Sequence, residues 1–245
     1  MAHFILNTIA LVDKLNSGYS QSQLIPLAHD MGFDAIELRD EFLQEADIPN
    51  IVQLAEQFNT EVYYSVNEPL IKDGHFNQRF FNQLKLSQEL HTKHLKMNIG
   101  SLANFDNVFP REFLDAITTD ISLTVENNQS SEDSNLNNTL HFFEIINSQK
   151  MPITFCFDTA NWLWVNTDPI TAVEKLAPNV SYLHLKNASN KSGVLSTTQS
   201  LENGAVNIPS IISKCSVQDY GFEYQSTIEQ LTQDLVKIKS ITKAY

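Results

Sequence analysis

The stretch ITFCFDTANWLW, residues 153–164, sets the problem. Five residues of strand character, Ile153 to Phe157, run into Asp158, and the chain's only two tryptophans, Trp162 and Trp164, come directly after. A buried strand that ends in a carboxylate has two readings. Either the aspartate caps the next turn of chain, or it points into a site. The rest of the chain decides between them, because the same pattern recurs along it.

Strand candidates occur at 3–8, 35–39, 62–67, 94–100, 123–128, 153–158, 180–186 and 220–225. Segments of helical period lie between them. SQSQLIPLAHDMG opens on hydroxyls and closes on Gly32, as a helix start and stop do. Each strand candidate carries a polar residue near its end: Asn7, Glu37, Asn67, Asn98, Glu126, Asp158, His184 and Glu223. Their spacings are 30, 30, 31, 28, 32, 26 and 39 residues. A repeat of about 30 residues is one strand-helix unit, and eight of them predict a (β/α)8 TIM barrel with its site at the C-terminal strand ends. The open doubly wound sheet is the competing fold. It usually carries a glycine-rich phosphate turn, and none occurs among the 7 glycines. The chain of 245 residues has the length of one such barrel and is read as a single domain over 1–245.

Side chains two apart on a strand share a face. With the strand-end residues turned inward, Glu37 falls with Arg39, Ser65 with Asn67, Lys96 with Asn98, Cys156 with Asp158, and Tyr182 with His184 and Lys186. The residues left facing outward are apolar: Ile36, Leu38, Leu95, Met97, Leu123, Val125, Phe155, Phe157, Leu183 and Phe222 among them. One register therefore serves strand after strand. It brings Glu126, Asp158, His184 and Glu223 together from four consecutive strands. Three carboxylates in one pocket raise each other's pKa. A divalent cation would relieve the repulsion, and carboxylates with one imidazole suit Mn, Mg, Co or Zn. Glu37, Arg39, Asn67, Lys96, Asn161, Trp162 and Lys186 are the candidates for contact with a substrate. Arg39, Lys96 and Lys186 would hold a carboxylate or phosphate on it, or else pair with the inner carboxylates. Trp162 and Trp164 offer a wall for a sugar face or plain packing, with the wall favoured for Trp162.

A net charge of −13 makes nucleic acid a poor partner. No apolar run approaches the length of a membrane span. The first residues read as a strand rather than a leader, and the two distant cysteines fit a reducing compartment, so a cytoplasmic location is expected. Two segments have no periodicity. ENNQSSEDSNLNN (126–138) reads as the loop after the fifth strand. Residues 188–207 read as a lid, a binding loop or a loose insertion.

The pieces GFDAIELR, VEN, FDTAN, LHLKN and FEY resemble the xylose isomerase-like barrels, a family of sugar epimerases, isomerases, dehydratases and apurinic endonucleases. The resemblance spans essentially the whole chain. ELRDE, VENNQ and FDTANWLW are most similar to a branch of epimerases encoded with 2-ketogluconate utilisation genes. The resemblance implies that one divalent metal is held by Glu126, Asp158, His184 and Glu223, with Glu126 and Glu223 moving protons on opposite faces of the substrate. The implied activity is isomerisation or epimerisation of a small sugar, keto-sugar or sugar acid, through proton abstraction next to a carbonyl. A metal-dependent dehydratase and an inactive sugar-binding or regulatory barrel are the rival readings. A homo-oligomer is allowed, with no patch locatable from sequence. Asn161 stands where the sugar epimerases carry a histidine, and it cannot act as an acid or base. The extra histidines of the endonucleases are also missing, with Asn67, Asn98 and Asn161 near their places.

Overall fold

A computed structural model describes residues 2–132 and 134–243. Eleven strands occur among them: β1 His3–Asn7, β2 Ala35–Arg39, β3 Glu61–Lys72, β4 His75–Phe76, β5 His94–Gly100, β6 Ser122–Glu126, β7 Thr154–Asp158, β8 Val180–Leu185, β9 Ala188–Lys191, β10 Val194–Thr197 and β11 Asp219–Phe222. Eight of them pair in parallel in the order β1, β2, β3, β5, β6, β7, β8, β11, and β11 pairs back onto β1. The sheet is a closed barrel with helices between its strands, as the 30-residue repeat predicts.

The helices are α1 Val12–Asn16, α2 Ile25–Met31, α3 Ile48–Phe58, α4 Phe80–Glu89, α5 Arg111–Thr119, α6 Leu136–Ser148, α7 Pro169–Leu176, α8 Ile208–Ile212 and α9 Ile228–Thr242. Their ends obey local chemistry. α2 stops at Gly32 in the left-handed region (φ 87°), and α7 opens on Asp168, whose side chain accepts from the Thr171 amide, with Pro169 in the first turn.

The alternation of the strands separates two apolar clusters. Ile36, Leu38, Leu95, Met97, Leu123, Val125, Phe155, Phe157, Leu183 and Phe222 belong to the large layer packed against the helices. Ile5, Ala35, Tyr63, Cys156 and Tyr182 form a separate small cluster inside the barrel. The inner face above that cluster is polar, and this places the site.

Two segments depart from expectation. β3 runs to Lys72 rather than ending at 67, with a register shift between Ser65 and Pro69, and folds back onto β4. Residues 188–207 are built rather than loose. β9 and β10 pair as an antiparallel ribbon, and Asn187 holds both ends of residues 201–206. Its amide donates to the Leu201 and Val206 carbonyls at 2.7 and 3.0 Å, while Oδ1 accepts from the Ala188 and Val206 amides at 2.9 Å each.

Candidate active site

Glu126 closes β6, Asp158 closes β7, His184 lies near the end of β8 and Glu223 comes directly after β11. All four are buried, and one ligand atom from each lies within 4.8 Å of the others. The donor set, three carboxylates and an imidazole, could hold a divalent cation. Above it opens a cavity of about 400 Å³, lined by Arg39, Asn67, Lys96, Glu126, Asn161, Lys186 and Glu223 together with Ser65, Asn98 and the loop residues 128–130. A larger groove of about 970 Å³ lies at the opposite end of the barrel, among His3, His29, Glu61 and His91. The groups of three or more residues that could hold a metal, among the described residues, lie under the smaller cavity, which makes it the candidate site.

Three cations share the pocket with the carboxylates. Lys96 donates to Glu126 Oε2. The Lys186 ammonium donates to Asp158 Oδ2 at 3.1 Å and to Glu223 Oε2 at 3.0 Å. Arg39 donates to Glu223 Oε1 at 2.7 Å and also pairs with Glu41. All three therefore partner the inner carboxylates, the second of their two sequence readings, while still lining the cavity.

This pairing changes the expected ionisation. Burial pushes Glu126 and Glu223 up, but Lys96 beside the first, Lys186 beside the second, and His184 beside both outweigh it, so both lie below the usual carboxylate value. Asp158 alone goes the other way. Burial, with the charges of Glu223 and Glu126, lifts it to about 6 against the pull of Lys186. The expected mutual elevation of three carboxylates survives only there, because lysines and an arginine already neutralise the other two.

Glu37 sits below the cavity rather than in its lining. Its Oε2 accepts from Tyr182 Oη at 2.6 Å and meets His184 Nε2 at 2.7 Å. Burial raises its pKa, but His184 and Lys96 bring it to about 2, so it is a carboxylate at any ordinary pH. The opposite ring nitrogen, Nδ1, faces Glu126 Oε1 at 2.6 Å and Glu223 Oε2 at 3.4 Å. Burial lowers the His184 pKa, but the Cys156 sulfur and the carboxylates of Glu37, Glu126 and Glu223 raise it well above its ordinary value.

Asn161 is 5% exposed and tied into the floor. Its amide donates to the Asn127 carbonyl at 2.9 Å, its Oδ1 accepts from Gln129 at 3.1 Å, and its backbone N–H donates to Asp158 Oδ1 at 2.7 Å. Trp162 lies elsewhere. It is fully buried against Phe157 and Phe155 in the layer under the helices, with ring centroids 5.4 and 6.4 Å away, and is not part of the cavity lining. The substrate-wall reading of Trp162 is corrected to packing, because the short helical turn after Asp158 folds the indole back onto the outer face of β7. Trp164 is packed at the edge of the same layer.

Asn127 is a site residue that the sequence reading misses. It is fully buried, accepts from the Asp158 amide at 2.9 Å and donates to the Asp158 carbonyl at 3.2 Å, fixing the end of β7. A polar residue at a position the alternation assigns to the apolar outer face is the available signal.

The chain has the fold of the xylose isomerase-like barrels. Among solved structures it is similar to a xylose isomerase domain containing protein from Salmonella typhimurium LT2 (TM-score 0.72, 14% identity, 98% of this chain and 97% of that one). It is also similar to an L-ribulose 3-epimerase (0.70, 17%, 100% and 95%) and to the IolI protein crystallised with a zinc atom (0.68, 14%, 99% and 99%). At these identities the likeness is one of fold. No protein-family model matches the sequence, and no curated protein matches it.

Proposed function

We propose that this single-domain barrel is a divalent-metal-dependent isomerase or epimerase of a small sugar, keto-sugar or sugar acid. The observation that carries the reading is the convergence of Glu126, Asp158, His184 and Glu223 within 4.8 Å beneath a polar cavity of sugar size. These four would hold the ion. His184 suits the task because Glu37 engages Nε2 and leaves Nδ1 aimed at the carboxylates, the usual carboxylate support of a metal-binding imidazole. A cation held there supplies Lewis acidity toward a sugar carbonyl and the hydroxyl next to it.

The chain's own groups do the rest. Glu126 and Glu223 project from strands separated by β7 and β8, so each serves one side of a bound sugar. Both lie below the usual carboxylate value; one would take the proton next to the carbonyl and release it to water, while the other, after picking up a proton from water, would give that proton to the opposite side. Asn67, Asn98 and Asn161 offer amides to hydroxyls. Arg39, Lys96 and Lys186 line the cavity while paired with its carboxylates, and a divalent ion that took over those carboxylates would free cationic charge for a sugar acid, the substrate kind that the resemblance to the 2-ketogluconate branch implies.

The test is incubation of a panel of ketoses and keto-acids with the Mn²⁺-loaded protein in heavy water. Deuterium should enter the carbon next to the carbonyl, and Glu126→Gln should abolish the exchange. Loss of water from the substrate without reversible exchange would assign the dehydratase reading instead. A protein that binds no divalent ion would overturn the proposal.

A further inference from the structure

Lys186 occupies a position that no ordinary surface lysine has. Its ammonium bridges Asp158 Oδ2 at 3.1 Å and Glu223 Oε2 at 3.0 Å, two of the four groups that converge. The second of these oxygens is also 3.4 Å from His184 Nδ1. One cation of this chain thus lies against the donor atoms that a divalent ion would need. Two cations cannot share those oxygens, since they compete for the same lone pairs and repel each other at short range.

The way Lys186 is mounted lets one part of it move. Its backbone is pinned, with the amide donating to Thr159 Oγ1 at 2.9 Å and the carbonyl accepting from the same hydroxyl at 2.6 Å. The side chain is a flexible four-carbon stem carrying a point charge. It lines the cavity of about 400 Å³, so there is room above it for the ammonium. Lys96 differs. It is nearly fully buried and pairs with Glu126 through the other carboxylate oxygen, away from the one that faces His184.

We propose that Lys186 is the counter-ion of the metal-free site, and that it yields Asp158 and Glu223 to a divalent cation and swings its ammonium into the cavity. The proposal rests on the reading of Glu126, Asp158, His184 and Glu223 as a metal site. It adds that the metal-free protein carries its own plug, and that filling the site delivers a positive charge to the place where the substrate sits. Lys186 and the ion then act in sequence on the same two carboxylates. This accounts for a lysine placed two residues beyond His184 on the same strand face.

Two measurements on the whole protein test this. The first is amine acylation and mass spectrometry, on metal-stripped protein and on protein loaded with Mn²⁺. Modification of Lys186 should rise about tenfold on loading, as expected for a group moved from a closed to an open state, while Lys96 stays protected. The second is calorimetric titration with Mn²⁺ alone. Lys186→Met, and Lys186→Gln as a second variant, should bind about tenfold more tightly than wild type, because no internal cation must be displaced. Binding of Mn²⁺ by wild type with unchanged Lys186 reactivity would overturn the proposal and leave the metal site standing. Equal affinity in wild type and both variants would do the same. Failure of wild type and both variants to bind any Mn²⁺ would overturn the metal site and the proposal together.

Discussion

Glu37 Oε2 lies 2.7 Å from His184 Nε2, beneath the cavity and shielded from solvent. The imidazole is held on its other side by Glu126 Oε1 at 2.6 Å. Glu37 thus sets the ring's orientation and keeps Nδ1 for the carboxylate side. Replacing it with glutamine keeps the shape and removes the charge. Glu37→Gln is expected to lower divalent-metal affinity about 10- to 100-fold, as loss of such support commonly does. It should cost about 1–3 kcal/mol of stability through the disturbed hydrogen bonds to His184 and Tyr182. Calorimetry with Mn²⁺ and urea denaturation measure both, and an unchanged affinity would remove Glu37 from the site.

Trp162 separates packing from substrate contact. Its indole is fully buried, and Nε1 has no hydrogen-bond partner among the described residues. Trp162→Phe is expected to cost only about 1–2 kcal/mol, because the lost N–H was making no bond, whereas Trp162→Ala opens a cavity worth about 3–5 kcal/mol. Neither should alter KM for the substrate at temperatures where the variant is folded. A raised KM in Trp162→Phe would restore the substrate wall.

The barrel and the convergence of Glu126, Asp158, His184 and Glu223 are legible because both arise from the period-two geometry of strands, which operates over a few residues at a time. Alternation also puts Glu37 on the correct face, but a face says nothing of depth. That its partner is His184, 147 positions away, depends on closure of the barrel. The lysines illustrate the same limit. Alternation turns Lys96 and Lys186 inward, yet whether they meet a substrate or a carboxylate depends on side-chain reach across the pocket. Trp162 is misread for another reason. The turn after a strand is free to fold either over the mouth or back over the outer layer, and local sequence does not choose. The 188–207 segment is opaque because Asn187 organises it through backbone groups of Leu201 and Val206, which carry no mark in their side chains.

That organisation can be tested directly. The Asn187 side chain makes four hydrogen bonds to backbone groups, and all are buried. Asn187→Ala should cost about 2–4 kcal/mol, since several buried donors and acceptors lose their partner at once. Asn187→Asp should be no better, because a carboxylate cannot donate to the Leu201 and Val206 carbonyls. Limited proteolysis should find new cleavage between 188 and 206 in both variants and not in wild type.

His3 predicts a pH dependence at the end of the barrel away from the site. Its pKa is raised above 6.5, first by the hydrogen bond to Asp219, against burial, and further by the charges of Asp219, Glu61 and Asp34. The folded state therefore binds the proton more tightly than the unfolded chain. The stability this gives is fully present below pH 6.5 and is lost as pH rises through the folded value. Glu61 also pairs with His94, which faces the same carboxylate. His3 is only partly buried, so the contribution should be about 0.5–1 kcal/mol. Between pH 6 and 8.5 wild type should lose about 2–3 °C more in Tm than His3→Gln. Parallel curves for the two proteins would show that His3 contributes nothing.

Gly221 tests the support of His184 without changing any charged group. A Cβ there would lie 2.3 Å from Tyr182 Oη and 2.9 Å from His184 Cδ2, closer than real contacts allow. Gly221→Ala must therefore push Tyr182, His184 or both. The expected cost is about 1–3 kcal/mol of overpacking. Divalent-metal affinity should fall about tenfold or more, because Tyr182 shares Glu37 with His184 and displacement of one disturbs the other. The tightest contact is with the tyrosine hydroxyl, so removing that oxygen should relieve much of the clash. Tyr182→Phe combined with Gly221→Ala should be more stable than Gly221→Ala alone, although Tyr182→Phe by itself costs about 1 kcal/mol for the lost hydrogen bond. This reversal of sign in a double-mutant cycle is what direct contact predicts. Simple additivity of the two costs would place the strain of Gly221→Ala elsewhere in the barrel.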